Sequence, residues 1–197
     1  MYIVFEGIDG AGKSTQITKL KKWLEDSGLE VKTIVEPTDS DIGLLIRKML
    51  KNPNATEENI QKTLGLLFAA DRLILMDKIN NYEYCSKIII SDRSFYSSLA
   101  YQNYKNWIVE INKFAKKPDI VLLLDLDLDI AIERCSGEDE FEKKSFLAKV
   151  KNNYLELANN NQDIFKIIDA NNGPNKVQSD IRKAIAPLLG ICQSGID

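Results

Sequence analysis

Eight residues near the N-terminus, Gly7-Ile8-Asp9-Gly10-Ala11-Gly12-Lys13-Ser14, follow the pattern G-x-x-x-x-G-K-[ST]. A polyphosphate needs backbone N–H donors that approach closely, and glycine permits the turns that aim them. A helix opening at the end of such a loop adds the favourable end of its dipole. Lys13 is placed to reach the β- and γ-phosphates of ATP, and Ser14 offers a hydroxyl to Mg²⁺. The eight residues follow the short apolar run Tyr2–Glu6 and precede Ile17, Leu20 and Leu24, which recur at helical spacing. A strand, a glycine-rich turn and a helix is the context the motif requires. A second acid belongs with the metal. Asp92 ends the apolar run Ile88-Ile89-Ile90-Ser91, and Asp125 ends Leu122-Leu123-Leu124. Asp92 is preferred because Arg93 adjoins it.

Arginine is scarce. Only Arg47, Arg72, Arg93, Arg134 and Arg182 occur among 26 basic residues. Arg93 follows an expected strand, Arg72 lies in Leu67-Phe68-Ala69-Ala70-Asp71-Arg72, and Arg47 lies in the helix after the second strand. Guanidinium forks hold phosphate oxygens bidentately and stay charged. Three of them bordering one cleft suit an acceptor that is itself a phosphate, because fixed cations offset the repulsion between two anions brought together. Such an acceptor is already ionised near neutral pH and needs no strong general base. The sequence contains no histidine at all.

Composition narrows the class further. A 197-residue chain with 44% hydrophobic and 28% charged residues reads as one globular domain, 1–197. A net charge of −3 gives no basic surface for nucleic acid. Cys85, Cys135 and Cys192 have no metal-ligand spacing and fit incidental thiols in a reducing compartment. The N-terminus has no basic n-region, and no apolar stretch approaches membrane-spanning length, so a cytoplasmic protein is expected.

The elements that must position these residues alternate. Strands are expected at Tyr2–Glu6, Val31–Val35, Lys87–Ser91, Ile120–Leu126 and Ile164–Ile168. Helices are expected at Ser14–Ser27, Asp41–Lys51, Thr56–Asn80, through Ser94–Lys116 in two pieces, and at Ile130–Arg134, Phe146–Asn159 and Val177–Leu189. Continuous apolar strands separated by helices predict an α/β fold: a five-stranded parallel sheet with helices on both faces. Ligands in such sheets sit beyond the carboxyl ends of the strands. The polar stretch Ser136–Glu142 breaks the pattern and reads as a short lid at about 136–144.

Several stretches together resemble thymidylate kinase, a family of P-loop nucleoside monophosphate kinases. They are Phe5-Glu6-Gly7 through Ser14-Thr15, Glu36-Pro37, Leu67 through Arg72, Ser91-Asp92-Arg93, Ser97-Ser98-Leu99-Ala100-Tyr101-Gln102, Lys117-Pro118-Asp119, Phe141-Glu142 and Tyr154-Leu155. The likeness covers nearly the whole chain, and the short lid resembles the archaeal form. It implies transfer of the γ-phosphate of ATP to dTMP, with Mg²⁺, by a homodimer. Gly7 through Thr15 would hold ATP, with Lys13, Arg93 and Asp9 at the reaction centre. Arg93, Arg72 and Arg47 would hold the acceptor phosphate or position the nucleotide, with Glu36 also on the acceptor side. Phe68 would stack on thymine, and Ser98 and Gln102 would hydrogen-bond the base. Asp9 would contact the sugar 3′-hydroxyl or the metal assembly, while Tyr101 and Tyr154 would crowd the 2′ position.

This chain departs from many members in having Val35 before Glu36-Pro37, Ser94 after Asp92-Arg93, Glu140 after Asp139 in the lid, and no arginine in the phosphate loop. The cation for the transferring phosphoryl group is therefore left among Arg134, Lys143 and Lys144. Two other readings stay open: a deoxynucleoside kinase acting on thymidine with Glu36 as base, and a P-loop module that binds nucleotide without transfer. A GTPase is disfavoured, since Asn112-Lys113 and Asn175-Lys176 are not followed by the residues of a guanine motif.

Overall fold

The computed structural model describes residues 1–85, 87–134 and 144–191. The strands are β1 (Tyr2–Glu6), β2 (Val31–Val35), β3 (Ile88–Asp92), β4 (Ile120–Asp125) and β5 (Phe165–Asp169). The helices are α1 (Lys13–Asp26), α2 (Asp41–Leu50), α3 (Glu58–Tyr84), α4 (Phe95–Tyr101), α5 (Lys105–Ile111), α6 (Leu128–Arg134), α7 (Lys144–Asn160) and α8 (Pro174–Leu189). The strands form one parallel sheet in the order β2-β3-β1-β4-β5.

The burial of each strand follows from its place. Every residue of β1 is buried, as are the first five of β4, so both faces of the sheet centre are covered. At the edge, β2 buries only Val31 and leaves Lys32, Thr33 and Val35 exposed. Ile17, Leu20 and Leu24 on α1 join the central core, each burial contributing about 1.5–3 kcal/mol. The register pairs Phe5 and Val35 with Asp92, Glu6 with Leu123, and Asp125 with Asp169. Four strand-end acids, Glu6, Asp92, Asp125 and Asp169, therefore gather along one edge of the sheet.

The helical stretch expected at Ser94–Lys116 is two short helices. Tyr104 breaks it with a left-handed φ of 62°. The third helix runs to Tyr84, four residues beyond the expected Asn80, where Tyr82 continues the packing of Leu75 and Ile79 against the core. The expected lid, about 136–144, lies outside the described residues apart from Lys144, as do Cys135 and Cys192. Cys85 is a free, exposed thiol.

Candidate active site

The phosphate loop joins β1 to α1 and is shaped by its glycines. Gly7 has φ 142°, and a Cβ there would lie 2.7 Å from the carbonyl oxygen of Leu124. Gly10 has φ 79°, and a Cβ would lie 2.8 Å from the carbonyl oxygen of Ala131. Side chains at either place would push the loop off β4 and α6. Helix α1 begins at Lys13 with no side-chain cap, which leaves its first N–H groups for an anion. Lys13 folds over the loop, and its Nζ donates to the carbonyls of Gly7 and Ile8 at 3.1 Å each. Burial, reinforced by the charge of Arg93, brings the Lys13 ammonium down to about 8.

The two residues expected on the metal side meet across the strand ends. Ser14 Oγ donates to Asp92 Oδ2 at 3.2 Å. Asp125, the competing acid, is instead paired with Lys151 at 2.8 Å. Ser14 and Asp92 offer adjacent hard oxygen donors, which suit Mg²⁺. Among the described residues no cluster of three or more His, Cys, Asp or Glu could hold a metal by itself. The pair fits an ion that draws its remaining ligands from phosphate and water.

Beside the loop lies a cavity of about 270 Å³. Asp9, Glu36, Phe68, Arg72, Arg93, Ser98, Tyr101 and Gln102 all line it, eight of the ten residues expected on the acceptor side. Arg93 sits where β3 ends, with a left-handed φ of 75° that is uncommon for a side-chain-bearing residue. Its backbone N–H donates to Phe5 O at 3.0 Å, and its carbonyl accepts from Ser91 Oγ at 2.6 Å. These bonds hold the unusual backbone, and the guanidinium turns towards the phosphate loop. Nη2 donates to Asp9 Oδ1 at 2.5 Å and to Tyr101 Oη at 3.3 Å, and Nη1 reaches Gly7 O at 3.3 Å. Tyr101 Oη in turn donates to Asp9 Oδ2 at 3.0 Å. Burial pushes the Asp9 carboxyl up, but Arg93, Lys13 and the Tyr101 hydroxyl outweigh it and hold Asp9 below its ordinary value.

The other arginines differ from the expected open forks. Arg72 is sealed: Nε and Nη2 both donate to Glu36 Oε2, at 2.8 and 2.6 Å, and Nη1 donates to Asn112 Oδ1. Its carboxylate-binding edge is already occupied. Burial drives the Glu36 carboxyl above its ordinary value despite this pairing. Glu36 Oε1 and Gln102 Oε1 are buried without a partner, two acceptor atoms left to the cavity. Arg47 is exposed and does not line the cavity; its Nη2 donates to Pro37 O, on the wall. Tyr154 lies beneath the wall, buried under Arg93, with Oη 2.7 Å from Glu6 Oε2. It touches the site through Arg93 and cannot itself crowd a sugar.

The lid cations are only partly described. Arg134 Nη1 donates to Gly10 O at 3.1 Å, which holds a guanidinium on the phosphate loop. Lys144 is paired with Asp129, and Lys143 lies outside the described residues. Four residues were missed in the sequence. Glu6 accepts hydroxyls from Ser94, Ser97 and Tyr154. Ser97 also accepts from Arg93, and Asn112 anchors Arg72. Asp71 accepts from Thr38 N, Thr38 Oγ1 and Ser40 Oγ at 2.6–2.7 Å, tying the loop after β2 to α3 beside Arg72. Glu6 and Asp71 carried a signal, being acids inside apolar runs. Ser97 and Asn112 carried none.

Known proteins resemble this chain in sequence and fold. The family model described as thymidylate kinase matches residues 5–181. A probable thymidylate kinase of Methanobrevibacter smithii is 62% identical over 192 residues, 98% of this chain and 97% of that one. A probable thymidylate kinase of Methanothermobacter thermautotrophicus is 50% identical across the whole of both chains. The solved thymidylate kinase of Candida albicans superposes with a TM-score of 0.84 at 30% identity, covering 95% of this chain and 92% of that one.

Proposed function

This chain belongs to the thymidylate kinase family, and from that premise we propose that it transfers the γ-phosphate of ATP to dTMP, giving dTDP and ADP. The observation that carries the reading is the placement of Arg93. It bridges the two sites, touching Gly7 and Asp9 of the phosphate loop while lining the adjoining cavity. A phosphate held in that cavity would lie beside the end of a triphosphate held by Gly7 through Thr15.

Lys13 releases the loop carbonyls and follows the β- and γ-phosphates. Ser14 and Asp92 would hold Mg²⁺, which would neutralise phosphate charge. Arg93 takes the acceptor phosphate and offsets the repulsion between the two anions. Phe68 covers the base, with Ser98, the unpaired Gln102 oxygen and the fixed Arg72 on its polar edge. Asp9 receives the sugar 3′-hydroxyl or joins the metal assembly, and Tyr101 narrows the space at the 2′ position. Arg134, already hydrogen-bonded to the loop at Gly10, is favoured over Lys143 and Lys144 as the cation for the transferring group.

The preferred test is an acceptor panel with coupled detection of ADP. Turnover with dTMP and none with thymidine is expected; phosphorylation of thymidine in preference to dTMP would overturn the reading. ADP release that ignores the acceptor would do the same.

The assembly is a homodimer in this reading, supported by exposed Leu44 and Leu45 on α2 and Leu66, Leu73 and Ile74 on α3. Sedimentation of a Leu73→Asp variant is expected to shift towards the monomer. An unchanged dimer would put the interface elsewhere. A reducing, cytoplasmic setting agrees with the exposed free thiol of Cys85. No helix among the described residues is long and apolar enough to cross a membrane.

A further inference from the structure

Glu6 ends β1 immediately before the phosphate loop and has no exposed surface. A buried carboxylate must be compensated, and hydroxyls compensate this one. Oε1 accepts from Ser94 Oγ at 2.8 Å, and Oε2 accepts from Ser97 Oγ and Tyr154 Oη at 2.7 Å each. The same two hydroxyl oxygens receive Arg93 Nη1, at 3.2 Å for Ser97 and 3.4 Å for Tyr154. A hydroxyl has one proton to give and lone pairs with which to accept. Ser97 Oγ and Tyr154 Oη also lie 2.9 Å apart, a contact in which either could donate, but the carboxylate is the stronger acceptor; with both protons directed at Glu6, the two hydroxyls present lone pairs to the guanidinium. Burial, and after it the charge of Glu6, raises the Tyr154 hydroxyl well above its ordinary value, so it remains a donor.

We infer that Glu6 is a positioning residue for the reaction: by claiming the protons of Ser97 and Tyr154 it sets both oxygens as acceptors that hold Arg93 Nη1 in place. The role matters because the other end of the guanidinium rests on Asp9, whose side chain is far more open to solvent. When an acceptor phosphate displaces Asp9, the contacts of Nη1 keep the fork aimed into the cavity. Glu6 never touches a substrate, since Ser97 and Tyr154 stand between it and the guanidinium. This inference rests on the reading that Arg93 holds the acceptor phosphate.

The test is Glu6→Gln, which keeps the shape and replaces one acceptor oxygen with a donor. With the amide nitrogen on the side of Ser97 and Tyr154, one of these hydroxyls must accept from it and turn its proton towards Arg93; with the nitrogen on the Ser94 side both keep their polarity, so Tyr154→Phe is tested beside it. The kcat with dTMP is expected to fall about tenfold to a hundredfold, the loss from one misdirected buried hydrogen bond. The KM for ATP should stay within about twofold, which general damage to the adjoining loop would not allow. Combining Glu6→Gln with Arg93→Lys separates relay from mere proximity. If Glu6 acts through Arg93, the double variant is no slower than Arg93→Lys alone. Additive losses, or an unchanged kcat in both Glu6→Gln and Tyr154→Phe, would overturn the inference. Tyr154→Phe serves if Glu6→Gln does not fold, with a several-fold loss of kcat at unchanged ATP KM expected and parental kcat overturning the relay. Arg93→Ala separates the two layers. Undiminished dTMP turnover in that variant removes the acceptor reading itself, whereas loss there with no effect of either Glu6→Gln or Tyr154→Phe removes only the relay.

Discussion

Two arginine–carboxylate pairs line one cavity under different conditions. The side chains of Arg72 and Glu36 are 3% and 4% exposed, while those of Arg93 and Asp9 are 17% and 39% exposed. Arg72 is closed on every side the structure records, by Glu36 and Asn112. Separating that pair would leave a desolvated charge with nothing to replace its partner. Arg93 holds a carboxylate that solvent reaches, on a glycine-rich loop, and its remaining contacts are neutral oxygens. An incoming phosphate can replace Asp9 at little cost, because Asp9 can return to water. The sealed pair is fixed in the cavity wall; the open pair is the one that could exchange partners in the proposed transfer. Burial of the counter-ion, more than the arginine itself, separates scaffold from working charge.

The largest expected effect falls on the open side. Arg93→Ala should lower kcat with dTMP by roughly 10²–10³-fold, the scale of removing a preorganised charge from a transition state. Its unfolding midpoint in urea should barely move. Lys13→Ala should cost at least as much turnover. Steady-state rates near those of the parent in either variant would erase the distinction.

The sealed side should respond in the opposite currency. Arg72→Ala strands Glu36 in the interior and is expected to destabilise the fold by about 3–5 kcal/mol. Denaturant unfolding measures it, and a loss as small as that of Arg93→Ala would mean both pairs are interchangeable partners.

A pH series sharpens the contrast from the donor side. Lys13 titrates near 8 in the free protein, and only its ammonium form attracts a triphosphate. Bound phosphate favours the charged form, so the bound value lies above the free one. ATP affinity should therefore be flat below about pH 8 and weaken above it, by at most about tenfold per unit. Calorimetric titration across pH 7–9.5 reads this directly, and a rise in affinity over that range would reverse the assignment. The smallest effect is expected for Tyr101→Phe. It removes one hydroxyl from the Asp9–Arg93 pair and should raise dTMP KM a few-fold with kcat nearly kept.

Much of this was legible in one dimension. The five strands and their parallel sense follow from continuous apolar runs such as Ile88-Ile89-Ile90 and Leu122-Leu123-Leu124, which only a sheet covered on both faces can bury. The phosphate loop is local: donor N–H groups, lysine and serine all lie within eight residues, so spacing alone defines the chemistry. Eight of the ten residues expected on the acceptor side line one cavity, and Arg47 and Tyr154 do not. What each does there was less legible, because Arg47, Arg72 and Arg93 look alike in a sequence and differ only in what surrounds them.

The sequence by itself determined the sheet, the phosphate cradle and the identity of the charged groups, since these depend on residue type and on neighbours a few positions away. Tertiary structure alone decided which charge is free to act. Glu36 meets Arg72 across 36 residues, Arg72 meets Asn112 across 40, Asp9 meets Arg93 across 84 and Glu6 meets Tyr154 across 148. Burial and hydrogen-bond polarity arise only when those distant segments are brought together. They make Arg72 a fixed wall and Arg93 an available fork, through differences in desolvation that no spacing of residues encodes.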